Sequence, residues 1–156
     1  SPSDIIMIDL DGNRLEVAKR FGATQTVKAS GVEAARQVMA LTGGRGVDTA
    51  IEAVGIPLTF ELCQDIIAPG GVIANVGVHG VKADLHLEKM WSQNIAITTR
   101  LVDTVSTPML LKTVRSGKID PSKLITHRFK LGQILDAYET CDGAAKTKVL
   151  KVIIEA

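Results

Sequence analysis

The sequence is poor in the residues that mark several classes of protein. Aromatic residues make up only 3% of its 156 residues, and its two cysteines are Cys63 and Cys141. They lie far apart on separate helical patterns, without the paired Cys or Cys/His spacing that holds zinc, so we expect both to be reduced structural thiols. The cysteine pattern therefore favours neither a disulfide-rich domain nor a zinc site built on cysteines.

An excess of charge of either sign is also missing. The chain has 18 basic and 17 acidic side chains, and the basic ones are scattered among the acids. Such a surface does not favour nucleic acid or anionic lipid as a partner. No apolar run approaches the roughly 20 residues of a membrane span, and no signal-peptide pattern opens the chain. We expect a cytoplasmic protein that binds neither nucleic acid nor membrane.

What the chain does have is a regular alternation of apolar runs and helical patterns. Apolar residues make up 46% of the sequence, enough for one domain with a proper core. Near-continuous β-branched runs separated by helices predict a parallel sheet covered on both faces. The expected fold is therefore α/β, a doubly wound sheet. The predicted strands are residues 4–9, 23–27, 47–54, 72–76, 95–101 and 148–154.

Asp9 closes the first of these strands, directly before a short amphipathic helix. In a Rossmann unit, an acid at this place accepts hydrogen bonds from the adenosine ribose, about 20 residues after a glycine-rich turn. Only eight residues precede Asp9, so we expect the chain to begin inside its own cofactor fold. An Asp after a strand is also a common turn former, and the local pattern leaves both interpretations open.

Two further strand ends carry small residues, at positions 53–55 and 76–80. In open α/β sheets ligands bind outside the carboxyl ends of the strands, where small residues let a ring or a ribose approach the backbone. Gly55 and Gly77 could equally be simple strand terminators. His79 is the histidine that we single out for a role in chemistry, although lone histidines are usually structural.

Taken in order, these features resemble the coenzyme domain of the medium-chain zinc-type alcohol dehydrogenases over nearly the whole chain. No single piece is diagnostic, but their order and spacing together are highly specific. The segments that carry the resemblance are 8–11 with Arg14, 18–24, 42–48, 52–55, 69–71, 76–78, 117–121, 124–127 and 148–149.

The resemblance implies a role for individual residues. Asp9 binds the adenosine ribose and repels a 2′-phosphate, which implies NAD over NADP, and Arg14 reaches the same ribose. Val54 and Gly55 line the adenosine side. The remaining implied cofactor contacts are Val76 and Val78 beside the nicotinamide with Gly77 between them, Thr99 through its backbone, and Lys148 against the pyrophosphate.

The resemblance also implies an activity. Hydride passes between an alcohol and NAD, while zinc polarises the oxygen of the alcohol or carbonyl substrate. The family holds its zinc and its proton-relay residues in an N-terminal domain, so we assign no catalytic residue and no metal ligand to this chain. We interpret residues 1–156 as a Rossmann-type domain that is truncated at its N-terminal side and is followed by the C-terminal segment of such an enzyme. We expect this chain to be inactive by itself. We expect the parent enzyme to be a homodimer or homotetramer.

Three alternatives remain open at this stage. A zinc-free quinone reductase of the same superfamily differs only in cysteines that would lie upstream. A noncatalytic nucleotide-binding or interaction module has no distinguishing motif. A methyltransferase that uses S-adenosylmethionine also has an acid after its second strand, but its sheet ends in an antiparallel hairpin, whereas this sequence continues with a helix and a strand.

Overall fold

The computed structural model describes residues 2–101 and 104–156. The chain divides into two compact units, Ser1–Leu101 and Val102–Ala156. Within the described part of the chain, no helix is both long enough and apolar enough to cross a bilayer.

Strands and helices alternate along the first unit. Strand β1 pairs in parallel with β2, and β4 pairs in parallel with both β3 and β5. All pairings are parallel, as the sequence predicts for strands joined by helices. The elements are β1 (Ile6–Ile8), α1 (Gly12–Arg20), β2 (Gln25–Val27), α2 (Gly31–Leu41), β3 (Val47–Glu52), α3 (Pro57–Ile66), β4 (Ile67–Asn75), α4 (Leu87–Met90) and β5 (Ala96–Thr99).

Local chemistry sets the ends of α1. The side chain of Asp11 accepts a hydrogen bond from the Asn13 amide at 2.8 Å and so caps the start of the helix. Gly22 follows the helix with φ of 103°, a conformation that glycine adopts without steric cost. Between these ends, Leu15 is the buried residue of the helix, which fixes the face that packs inward.

One apolar core holds the first unit together. Helices α2 and α3 contribute to it from outside the strands, and Ile6 and Ile8 of β1 pack against it. Full burial of a Val, Leu, Ile or Met side chain stabilises the folded protein by about 1.5–3 kcal/mol. The buried members are Val27, Ala34, Val38, Ala50, Leu62, Cys63, Ile66, Ile67, Ile73 and Met90.

Strand β4 begins earlier than the sequence predicts. Residues 69–71, Pro-Gly-Gly, read as a turn before a strand at 72–76, but the strand runs through them from Ile67. Val47 pairs with Ile67 and Thr49 with Val72, so the register shifts there and β4 bulges. Gly70 takes φ of 79° and donates its N–H to the Gln93 carbonyl at 2.7 Å. Glycine thus bends this strand without ending it.

The second unit contains a further parallel strand pair, β6 with β7. Strand β6 was not predicted from the sequence, because it lacks a long apolar run. The last strand begins three residues later than predicted, at Lys151. The elements are α5 (Thr107–Arg115), a 3₁₀ turn (Pro121–Leu124), β6 (Ile125–Lys130), a second 3₁₀ turn (Leu131–Gln133), α6 (Ile134–Asp142), α7 (Ala144–Thr147) and β7 (Lys151–Glu155).

Helix α6 presents a different face to its unit than the apolar periodicity predicts. The i, i+3, i+4, i+7 spacing of Leu131, Ile134, Leu135 and Tyr138 predicts an inward-facing apolar stripe. Ile134 is half-buried, but the other three are exposed, and Leu131 precedes the helix in a 3₁₀ turn. Ala137 is the buried residue of α6.

A buried glutamine ties α3 to the loop before α4. Gln64 is 8% exposed; its Nε2 donates to the Asp84 carbonyl at 3.0 Å, and its Oε1 accepts from the His86 amide at 2.8 Å. One side chain therefore satisfies both a donor and an acceptor of the loop backbone.

We expect Gln64→Leu to lower the free energy of unfolding by about 1–3 kcal/mol, because it takes the hydrogen-bond partner from two part-buried backbone groups at nearly constant side-chain volume. Urea unfolding of the variant measures the loss. Gln25→Leu, at an exposed site on β2, is the control and should unfold like the parent protein. Equal midpoints for both variants would contradict the assignment.

Candidate functional site

Asp9 lies immediately after β1, at the carboxyl end of the strand. Its amide donates to the Val27 carbonyl at 3.2 Å, which continues the pairing with β2. Its Oδ1 accepts from the Asp11 amide at 2.8 Å, and 29% of its side chain is exposed. One carboxylate oxygen therefore fixes the turn, and the carboxylate remains open to a ligand from solvent.

Arg14 lies one helical turn further along, next to the same carboxylate. Its guanidinium is 3.8 Å from Oδ2 of Asp9 and 4.0 Å from Oδ2 of Asp11. Both distances are long for charge-assisted hydrogen bonds, so the pair is loose and its partners can exchange. The structure thus brings together the two residues that the sequence assigns to a ribose.

The ends of β3 and β4 approach each other through glycines. Gly55 has φ of 89°, and a side-chain carbon added there would lie 2.7 Å from the carbonyl carbon of Val78. One added at Gly77 would lie 2.8 Å from the Cα of Gly55 and would collide with the Glu52 carboxylate. The sequence left these glycines open between ligand approach and strand termination. The structure gives a third reason, since the two turns pack directly against each other.

Glu52 is the last residue of β3 and the most deeply buried acid among the described residues, at 1% exposure. Its Oε1 accepts from the amides of Val54 at 2.9 Å and Gly55 at 2.8 Å, and from the hydroxyl of Thr59 at 2.6 Å. Its backbone carbonyl accepts from the amides of Val76 and Gly77 at 2.8 and 3.1 Å. A single residue thus contacts both turns.

The carboxylate of Glu52 is held in its charged form. Burial is the largest single influence and raises its pKa, but the hydrogen bonds from Thr59, Gly55 and Val54, with His79 nearby, together lower the pKa below its ordinary value. Hydrogen bonds to an ionised acceptor are the strong ones. Glu52 is therefore an anion at neutral pH.

His79 lies beside the second oxygen of this carboxylate. Its Nε2 is 2.9 Å from Oδ1 of Asn75 and 3.4 Å from Oε2 of Glu52. The Asn75 amide is oriented by its own donation to the Gly77 carbonyl at 3.2 Å. Because both neighbours of Nε2 are acceptors, that nitrogen carries the hydrogen. The ring also meets Phe60 edge to face.

The valines assigned to the cofactor are exposed at these strand ends. Val54, Val76 and Val78 are 65%, 50% and 82% exposed, and they lie in the turns after β3 and β4. Apolar side chains in this position offer a surface for a flat ring. Thr99 ends β5 and pairs in register with Asn75 of β4, so its backbone belongs to the same strand edge.

Lys148 belongs to the second unit. It ends α7 in a left-handed conformation with φ of 59°, before β7 begins at Lys151. The prediction that Lys148 opens the last strand is wrong, because the left-handed turn separates it from the strand. Its side chain is exposed.

Neither cysteine takes part in these arrangements. Burial and, second, the nearby Glu52 carboxylate raise the pKa of the Cys63 thiol to about 11, so the thiol is protonated at neutral pH. Cys141 is exposed and free. Among the described residues no cluster of three or more His, Cys, Asp or Glu side chains could hold a metal ion.

Glu52 was not identified from the sequence as the residue that contacts the turns after both β3 and β4. It lies inside the strand predicted at 47–54, where no role of its own was assigned to it. A usable signal was present, because an acid two residues before a strand-end Val-Gly step can accept the amides of the turn that follows.

Comparison with known proteins gives a consistent picture. The family model described as zinc-binding dehydrogenase matches residues 3–114. An alcohol dehydrogenase from Cupriavidus necator is 32% identical over 158 aligned positions, which cover 97% of this chain and 42% of that protein. The chain thus spans less than half the length of this relative.

Solved structures agree. The apo form of zinc dependent alcohol dehydrogenase 2 from Streptococcus pneumonia is 54% identical and superposes with a TM-score of 0.94, over 99% of this chain and 45% of that one. Alcohol dehydrogenase TADH from Thermus sp. ATN1 is 27% identical, with a TM-score of 0.87, over 97% of this chain and 44% of that one. The prediction of a Rossmann-type parallel sheet is confirmed.

Proposed function

Because the chain belongs to the zinc-binding dehydrogenase family, we propose that it forms the NAD-binding part of a zinc-dependent alcohol dehydrogenase that transfers hydride between an alcohol and NAD. The observation that carries the proposal is Asp9, a partly exposed carboxylate at the carboxyl end of β1 with Arg14 beside it. An acid at this strand end is the group that recognises a ribose in dinucleotide-binding folds.

The strand ends of the first unit fit the two halves of a dinucleotide. Asp9 and Arg14 take the adenosine ribose, and Val54 with Gly55 lines the adenosine side. Val76 and Val78 offer an exposed apolar edge to the nicotinamide ring, which suits a flat and largely apolar group. Thr99 meets the ring through its backbone. For Lys148, a residue of the second unit, a charge contact with the pyrophosphate rests on the family resemblance alone.

In this proposal the cofactor supplies the reacting atom and the protein binds and orients the cofactor. NAD, when bound, supplies the carbon that accepts or gives the hydride. This chain binds and orients it: the Asp9 carboxylate accepts hydrogen bonds from the ribose, and the negative charge disfavours a 2′-phosphate. Zinc enters the proposal through the family resemblance, which places its ligands in an N-terminal domain of the parent enzyme.

The remaining parts of the proposal concern the whole protein. We propose residues 1–156 as part of a coenzyme-binding domain with the C-terminal segment, unable alone to carry out the reaction. The parent enzyme acts on a small alcohol or carbonyl compound as a cytoplasmic homodimer or homotetramer. The charge balance of +1 supports partners other than nucleic acid.

Titration calorimetry on the whole protein tests the proposal, with NADH, NADPH and S-adenosylmethionine as separate ligands. We expect NADH to bind most tightly. Binding of S-adenosylmethionine without binding of NADH would contradict the dehydrogenase proposal and favour a methyltransferase. Binding of none of the three ligands would favour an interaction module. Metal analysis of the same sample separates a zinc enzyme from a zinc-free quinone reductase.

A further inference from the structure

We propose that Glu52 is a positioning residue that sets the nicotinamide-side turn, residues 76–79, relative to the adenosine-side turn, residues 53–55. The inference rests on the function proposed above, because the ligands of the two turns come from it. No ligand contact is assigned to Glu52 itself.

The two oxygens of Glu52 serve different turns. Oε1 accepts all three side-chain hydrogen bonds, from the amides of Val54 and Gly55 and from the Thr59 hydroxyl. Oε2 has no hydrogen-bond partner among the described residues; it lies against Gly77 and 3.4 Å from Nε2 of His79. Oε1 therefore fixes the turn after β3, while Oε2 faces the turn after β4.

Electrostatics gives Oε2 its effect on the second turn. It is fully buried, so water does not screen its charge, and the Nε2 hydrogen of His79 is the polar group that the structure places near it. His79 is in turn held by Asn75, whose amide donates to the Gly77 carbonyl. The negative charge thus favours one orientation of His79 and, through Asn75, one course of the backbone at Gly77 and Val78.

Glu52→Gln separates the two oxygens experimentally. The glutamine oxygen can still accept from Val54, Gly55 and Thr59, so the turn after β3 keeps its hydrogen bonds. The amide nitrogen then takes the place of Oε2 beside Gly77. There it faces the Nε2–H of His79, so that two hydrogen-bond donors face each other without an acceptor. The variant is nearly isosteric and changes mainly the side of the carboxylate that faces β4.

The test compares two ligands that differ by the nicotinamide, NADH and ADP-ribose, by titration calorimetry on the whole protein. For Glu52→Gln we expect the NADH dissociation constant to rise at least fivefold, while that of ADP-ribose stays within twofold. His79→Leu, which removes the group facing Oε2, should shift the same ratio in the same direction. It supplies the measurement should Glu52→Gln fail to fold. Glu61→Gln, an exposed acid on α3, is the matched control and should change neither constant.

The outcomes distinguish this inference from the proposed function. Equal weakening of NADH and ADP-ribose in both variants, or no weakening of either, overturns the positioning role while the dehydrogenase proposal stands. A parent protein that binds neither ligand overturns the proposed function, and the inference falls with it. A selective loss of NADH in the variants, with the Glu61→Gln protein unchanged, supports it.

Discussion

Asp9→Asn should convert a strong preference for NADH into near indifference between NADH and NADPH. The NADH dissociation constant is expected to rise about tenfold or more, since hydrogen bonds to a charged acceptor contribute about 1.5–3 kcal/mol. NADPH affinity should increase, because the repulsion of its 2′-phosphate disappears and Arg14, released from its 3.8 Å contact with Oδ2, is free to pair with the phosphate. Parallel titrations with both cofactors measure the ratio.

The substitution is informative because it preserves the local structure. The amide oxygen of asparagine can still accept from the Asp11 amide, the hydrogen bond that fixes the turn at 2.8 Å. Asp11→Asn is the matched control: it removes the same charge 4.0 Å from Arg14, and asparagine caps α1 as well as aspartate does. If Asp11→Asn shifts the ratio as far as Asp9→Asn does, the effect is one of overall charge and Asp9 is not the ribose ligand.

The strands that the sequence predicted best are those that contain an apolar run. The runs around Ile8, Ala50 and Ile73 predicted β1, β3 and β4, although in β3 the buried residues are Ala50 and Glu52 alone and β4 begins earlier than predicted. The 6-residue strand β6 was missed. It alternates half-buried and exposed residues and contains His127 and Arg128, a pattern that gives no continuous apolar signal.

The charged residues of β3 show why the sequence could not complete the site. Asp48 and Glu52 lie four residues apart in the same strand and looked equivalent, yet the Asp48 side chain is 82% exposed and that of Glu52 is buried. Which of them enters the core depends on where the strand ends and on the bulge opposite Val47, and both are tertiary features. Asp9 was singled out because its signal is local: it follows an apolar run directly before a helix.

The glycines of the two turns illustrate the same limit. Sequence reasoning identified Gly55 and Gly77 as unusual strand ends and could supply reasons only from their own surroundings. In the structure, each glycine leaves room for the backbone of the other turn. The pairing of β3 with β4 brings the two turns together. Contacts between residues 22 positions apart follow from the register of the sheet, which no local pattern specifies.

Gly77→Ala should therefore be among the most destabilising small substitutions in the chain. The added carbon would overlap Oε2 of Glu52 and the amide nitrogen of Gly55, and would lie 2.8 Å from the Cα of Gly55. Backbone atoms and a buried carboxylate held by three hydrogen bonds cannot move aside easily. Overpacking of this kind costs about 1–3 kcal/mol and occasionally more, and we expect the upper end, measured as a lower midpoint of urea unfolding.

Gly80→Ala, three residues further along the chain, provides the matched control. Neither Gly77 nor Gly80 has a positive φ, so alanine is conformationally acceptable at both, and a carbon added at Gly80 meets no atom within 4 Å. The two variants thus make the same chemical change and differ only in the space around it. Gly80→Ala should unfold at the midpoint of the parent protein. If the two variants unfold at the same urea concentration, the close packing of the β3 and β4 turns is wrong, and with it the direct contact of Glu52 with Gly77.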